Sequence, residues 1–238
     1  MKIGIFTDVH NNVRALEAIL QKFEEEGCSE LICCGDLNGI GPWPEETLRL
    51  ASTLKNFHCV LGNHELLLER GLDPIPEGMG EGEARQHEWE FGLLSEAEKD
   101  FILALPKTLF LEREGVKIAV LHYSMDEEGR FENYTPSPSL EDCQKMFPDT
   151  DADVICYGHD HSGAVTGNDK KLYVNCGSLG CPGTLGGIAR GGILTVDSGH
   201  FSYKPTAVSY ELNAVIEKIN SIQYPDFEIV KKIFYGIN

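Results

Sequence analysis

Apolar and polar positions alternate in blocks along the first 60 residues. The run "KIGIFTD" is short, apolar and closed by polar residues, the pattern of a buried strand. Asn11 and Asn12 can cap a helix in which Val13, Leu16, Ala18, Ile19, Leu20 and Phe23 recur at helical spacing until Gly27 stops the run. "ELICCGD" predicts a second strand, "PEETLRLASTL" a helix with Pro44 at its start, and "FHCVLGN" a third strand. A β-α-β-α-β order predicts a parallel sheet with crossover helices.

The middle of the chain is less regular. Residues 71–85, rich in Gly, Pro and acid, predict a mobile loop. "QHEWEFGLL" and "SEAEKDFILALP" predict helices, the second opened by a Ser95–Glu98 capping box. "TLFLEREGVKIAVLHYS" predicts a hairpin turning near Glu114-Gly115. A short helix over Leu140–Phe147 precedes a buried strand in "DADVICYGHDH". "KLYVNCGS", "GGILTVDSG" and "HFSYKPTAVSYEL" then predict strands, and two short helices near 213–222 and 225–234 close the chain. With no internal repeat and no clear linker, residues 1–238 read as a single domain.

Composition narrows the function. The chain has 20 basic and 38 acidic residues, a net charge of −18. Such a field repels long nucleic acids. No apolar run is long enough to cross a bilayer, so no membrane partner is expected. The N-terminus carries Asp8 and no signal-peptide pattern, which places the chain in the cytoplasm. None of the eight cysteines forms a C-x-x-C pair. Small buried hydrophobes in a reducing compartment account for them, with a Cys176–Cys181 disulfide as the alternative. A homo-oligomer is compatible with the sequence, which carries no signature of one.

Polar residues gather at predicted strand ends. Asp8 and His10 end the first, Asp36 the second, Asn63 and His64 the third. His122 ends the hairpin, and His159 and His161 end the strand after it. Sites in open α/β sheets assemble at this edge. Packing needs none of these side chains, and burying them unpaired is costly. Imidazole with carboxylate suits first-row divalent ions: Mn, Fe, Co, Ni or Zn. Seven such donors exceed the need of one catalytic ion and match two ions sharing a carboxylate, an arrangement that clamps a phosphoryl group. By itself the pair His159/His161 is open: it could serve one metal, two metals or a solvated loop.

The motifs "DVH" at 8–10, "GD" at 35–36, "GNHE" at 62–65, His122 and "GHDH" at 158–161, in that order, resemble those of the calcineurin-like metallophosphoesterases. "VNCGSLGCP" at 174–182 resembles the "NPGS" loop of their small bacterial and archaeal branch. The resemblance implies a four-layer α-β-β-α sandwich, two mixed β-sheets flanked by helices. It implies two divalent transition-metal ions per chain. One would be held by Asp8, His10, Asp36 and His161, the other by Asp36, Asn63, His122 and His159, with Asp36 bridging. His64 would be the general acid and a hydroxide between the metals the nucleophile, on a small phosphoester substrate. The rival reading is a non-catalytic metal-binding scaffold on the same fold.

Departures from the family bear on substrate. Gly39 stands where an acid would orient the catalytic imidazole, and Ile40 and Leu61 stand where protein phosphatases place arginines. A two-arginine clamp on a phosphate dianion is therefore missing at its usual places. Asn11 and Arg190 are the candidate substrate contacts, against a helix cap and a surface salt bridge. Segments 71–85 and 124–137 are placed to narrow the mouth of the site. His58, His87 and His200 belong to no motif and read as surface or internally satisfied. Asp160 reads as a turn residue or the partner of an imidazole. Asn175 and Ser178 shape a loop, and Glu65 complements a helix N-terminus.

Overall fold

The computed structural model describes residues 1–148 and 150–237. Two five-stranded sheets are stacked face to face. In the first, β1 (Lys2–Phe6) lies between β2 (Glu30–Cys33), parallel to it, and β9 (Ile188–Asp197), antiparallel to it. Strands β3 (Phe57–Cys59) and β10 (His200–Ser209) form its edges. The second sheet has the order β4 (Thr108–Arg113), β5 (Val116–Leu121), β6 (Val154–Tyr157), β8 (Leu172–Asn175) and β7 (Ala164–Gly167). Its central strands are parallel and its two edges antiparallel, so both sheets are mixed.

Period-2 alternation explains the layering. Ile3 and Ile5 point between the sheets, where they meet Ile32 and Val60 from the first sheet and Val116, Ile118, Val120, Val154 and Val174 from the second. Phe6 and Cys33 point the other way, onto α1 (Val13–Glu25), α2 (Pro44–Thr53) and α5 (Glu96–Leu103) through Leu16, Ile19, Phe23, Leu48 and Ile102. Each aliphatic side chain buried in this way contributes roughly 2 kcal/mol. On the outer face of the second sheet, α6 (Leu140–Met146) packs Cys143 against Ile155, Tyr157 and Tyr173. Near the end of β1, α7 (Leu212–Ser221) and α8 (Phe227–Tyr235) cover Val13, Ile40 and Trp43 with Val215, Ile219 and Phe234.

Some bounds and elements differ from expectation, although a helix whose N-terminus Glu65 complements is present. Residues 63–70, beginning inside "GNHE", form the continuous helix α3 (Asn63–Arg70), capped by the Glu65 carboxylate on Gly62 N–H. The irregular segment expected over 71–85 ends early, because α4 (Glu81–Leu93) starts five residues before "QHEWEFGLL". Strand β7 has no counterpart among the expected elements; its four residues pair only with β8. All eight cysteines are free, so the Cys176–Cys181 bridge is not formed.

Candidate metal centre

The carboxyl ends of five strands meet in one place. Asp8 and His10 follow β1, and Asp36 follows β2. Asn63 and His64 open α3 after β3. His122 follows β5, and His159 and His161 follow β6. Several of these turns hold non-glycine residues in the left-handed region: Asp8 at φ 53°, His10 at 48°, Asp36 at 50° and His159 at 71°. Each costs of order 1–3 kcal/mol, and such residues cluster where function fixes side-chain direction. Gly62 is needed for close approach, since a Cβ there would lie 2.1 Å from Oδ1 of Asp36.

Ligand atoms fall into neighbouring groups, with Asp36 in two of them. Asp8, His10 and His161 offer atoms all within 4.8 Å of one another, as do Asp36, His122 and His159, and a further set of His10, Asp36 and His64 links them. Nε2 of His161 is 3.1 Å from Oδ1 of Asp8 and 3.1 Å from Nε2 of His10. In the second group, Nε2 of His122 is 3.2 Å from Oδ2 of Asp36, and Oδ1 of Asn63 is 2.8 Å from both Nε2 of His122 and Nδ1 of His159. Nδ1 of His10 faces the Gly39 carbonyl and Nδ1 of His122 the Cys34 carbonyl, each at 2.8 Å. A ring that donates Nδ1–H to a carbonyl keeps an Nε2 lone pair for a cation.

The donor set fits divalent cations. Asp8 and Asp36 are both buried, and among the described residues Oδ1 of Asp8 has no hydrogen-bond partner. Buried carboxylates demand compensating charge. Burial pushes Asp36 up, but the His122 and His64 rings overcome it and hold the carboxyl well below its usual range. Burial lowers His122, but Asp36 outweighs it and lifts the ring to about 9, and Asp8 likewise raises His161 against burial, so a cation taken by these two rings would displace their protons. Burial, reinforced by His122, lowers His159 to about 4, and burial lowers His10 as well, so both rings present neutral nitrogens. Neutral imidazole and carboxylate together are the ligands of first-row divalent ions.

His64 stands at the edge of both groups. Its backbone N–H donates to Oδ1 of Asp36 at 3.1 Å, and its ring Nε2 lies 3.8 Å from Oδ2 of the same residue. Its Nδ1 points away, 3.0 Å from Nε2 of His87. His87, which belongs to no motif, is wholly buried beneath α4, so the surface reading fails for it. His58 pairs with Glu30 at 2.6 Å, and His200 is exposed. A cleft of about 350 Å³ exposes Asp36, Asn63, His64, His159 and His161 beside Tyr134 and Ser162.

The two candidate substrate contacts are turned elsewhere. Asn11 is fully buried and its amide donates to Glu90 of α4. Arg190 reaches the His161 carbonyl at 3.4 Å, with its guanidinium over Gly177. It braces the turn that carries His161 and does not line the cleft. Asn175 donates to the carbonyls of Gly158 and Asp160, and Ser178 to that of Asp8. Oδ1 of Asp160 accepts from the N–H and hydroxyl of Ser162, closing the turn. The Glu65 carboxyl accepts backbone N–H groups of Asp36, Asn38 and Gly62, which ties the turn after β2 to the start of α3.

The profile of the calcineurin-like phosphoesterase superfamily domain matches residues 1–199. The uncharacterized protein MJ0912 of Methanocaldococcus jannaschii is 26% identical over 257 residues, covering 98% of each chain. The crystal structure of hypothetical protein PH1004 from Pyrococcus horikoshii superposes with a TM-score of 0.84 at 17% identity, covering 100% of this chain and 99% of its own. A metallophosphoesterase from Sphaerobacter thermophilus gives 0.76 at 21% identity, with both chains wholly covered. At these identities the two structures speak for the fold: mixed sheets between helices. The profile match over most of the chain, on the same strand-end motifs that the fold draws together, shows that this protein belongs to the calcineurin-like phosphoesterase superfamily.

Proposed function

We propose that this chain is a binuclear metal-dependent phosphoesterase acting on a small substrate. The observation that carries the reading is the convergence of seven donor side chains from five strand ends, with Asp36 grouped both with His122 and His159 and with His10. Asp8, His10, Asp36 and His161 would hold one divalent ion, and Asp36, Asn63, His122 and His159 the other. Two such ions, when bound, supply positive charge to the phosphoryl oxygens and lower the pKa of water. His64 faces the same cleft and is the residue that gives a proton to the leaving oxygen. Its N–H bond to Asp36 ties its place to the shared carboxylate. The same reading takes residues 1–238 as one domain, whose free thiols suit a reducing cytoplasm.

Substrate class follows from charge. Among the described residues no Lys or Arg lines the cleft, and Ile40 and Leu61 are buried. A phosphomonoester dianion profits more from extra cationic donors than a diester monoanion does. Small phosphodiesters or nucleotide-type esters are therefore favoured over phosphoprotein. Mn²⁺-loaded protein should hydrolyse bis(p-nitrophenyl) phosphate with a higher kcat/KM than a phosphoserine peptide. A faster peptide reaction would refute the substrate class; no turnover of either by metal-loaded protein would refute the enzymatic reading.

A further inference from the structure

The buried face of α4 carries polar groups that the metal centre does not use. His87 and Glu90 are three residues apart on that face, and both are completely buried. Packing alone gives no reason to bury an imidazole and a carboxyl there. Both lead to His64. Nε2 of His87 is 3.0 Å from Nδ1 of His64, and the two rings lie 4.9 Å apart at 31°. Behind His87, Oε2 of Glu90 faces Nδ1 at 3.5 Å, without the geometry of a hydrogen bond. Glu90 is itself anchored, accepting from the N–H of Gly39 at 2.8 Å, the N–H of Ile40 at 3.3 Å and the amide of Asn11. The loop below His64 offers no competitor. Gly39 has φ +98°, and a Cβ there would fall 2.3 Å from Cβ of His64. Glu83 has a ligand atom within 4.8 Å of both rings, and Asp36 and His10 lie as close to His64 on its other side.

These contacts have a direction. Glu90 only accepts in its bonds to Gly39, Ile40 and Asn11. A carboxylate facing Nδ1 of His87 favours the proton on that nitrogen. Nε2 of His87 then carries a lone pair and accepts, so Nδ1 of His64 must donate. That leaves Nε2 of His64, the nitrogen nearer Asp36, as the atom that exchanges a proton with the cleft.

Resting on the phosphoesterase reading, we propose that His87 is a positioning residue. It accepts the Nδ1–H of His64 and, backed by Glu90, fixes the tautomer and ring plane in which Nε2 of His64 meets the leaving group. When His64 gives up its Nε2 proton to the leaving oxygen, the neutral ring that remains keeps its Nδ1–H bond to His87, so no rearrangement accompanies the transfer.

Two readouts test this on Zn²⁺-loaded protein. Long-range ¹H–¹⁵N correlation spectra should show neutral His64 protonated at Nδ1, and this preference should vanish in His87→Phe. In turnover, His87→Phe should lower kcat for 2′,3′-cyclic AMP, whose leaving alkoxide needs a proton, by about 10–100-fold. KM should change little, and so should the rate on bis(p-nitrophenyl) phosphate, whose leaving group needs none. His87→Gln, whose amide oxygen can accept the same bond, should recover most of the rate. In a His64→Ala background, His87→Phe should add no further loss. The proposal is overturned if wild-type His64 is protonated at Nε2, if the double variant loses activity beyond His64→Ala, or if His87→Phe alone drops a metal equivalent, which would make His64, Glu83 and His87 a metal site. Absence of any phosphoesterase activity would defeat the functional reading, and the spectra would still decide the role of His87.

Discussion

His64 presents its two nitrogens to different surroundings: Nε2 toward Asp36 and the cleft, Nδ1 toward a buried ring. Its neighbour Asn63 sits against His122 and His159, so on the proposed reading one residue separates coordination from proton transfer. His64→Ala should retain both metals and lower kcat by about 10²–10⁴ for substrates with alkoxide leaving groups. The loss should shrink for p-nitrophenyl esters. Metal analysis beside steady-state kinetics checks this, and a parallel loss of metal and rate would make His64 a ligand. The meeting of these eight polar side chains at strand ends was legible in the sequence because each ends an apolar run, where a polar residue has no packing role. His87 was not. It lies within "QHEWEFGLL", where acidic neighbours make a solvated face the natural reading. The available signal was Gln86, His87 and Glu90 recurring near helical spacing, but nothing in one sequence shows that this face is the buried one. Asn11 illustrates the same limit: a polar residue after "DVH" could face substrate, and only the placement of α4 shows that it meets Glu90.

At the scale of elements, the two sheets are tied by a contact that takes no part in the metal centre. Arg113 at the end of β4 donates through Nε and Nη2 to Glu30 at the start of β2, at 2.8 and 2.6 Å, and His58 on β3 lies 2.6 Å from the same carboxylate. Burial raises the Glu30 pKa, but the paired Arg113 bonds outweigh it and leave it below its ordinary value of 4.5. A carboxyl depressed in the folded state stabilises above its unfolded pKa, and that stability is lost as pH falls through the folded one. Glu30→Gln should therefore destabilise by about 1.5–3 kcal/mol near pH 7. For a chain of this size that is roughly 3–12 °C in Tm. The gap from wild type should narrow as pH falls below about 4.5; melts at pH 7 and pH 3.5 measure it, and an undiminished gap at the lower pH would contradict the ion-pair account. Long strands and helices were readable from their periodicity. Strand β7, "AVTG", was not, because four residues at a sheet edge carry too short an alternation. Helix α3 was legible at Glu65, and it begins two residues earlier, inside "GNHE".

At the scale of the molecule, Asp8, Asp36 and Asn63 come from the first sheet, and His122, His159 and His161 from the second. Ions bound among them would cross-link the two layers and compensate two buried carboxylates. Ligands that bind only the folded state stabilise it by about 2.7 kcal/mol at a hundred times Kd. Stripping metal with chelator should therefore lower Tm by roughly 5–11 °C, and readdition of Mn²⁺ should restore it; an unchanged melt would deny the cross-link. The sandwich itself was legible only through the resemblance, since strand patterns fix elements and leave the stacking of two sheets to long-range packing. The central claim is that two ions share Asp36, and elemental analysis of protein reconstituted with Mn²⁺ and freed of excess metal tests it most directly. Wild type should hold two equivalents per chain, and Asp36→Ala, which removes a ligand from each, should retain neither tightly. A wild type that holds a single equivalent, or an Asp36→Ala variant that keeps two, would contradict the account.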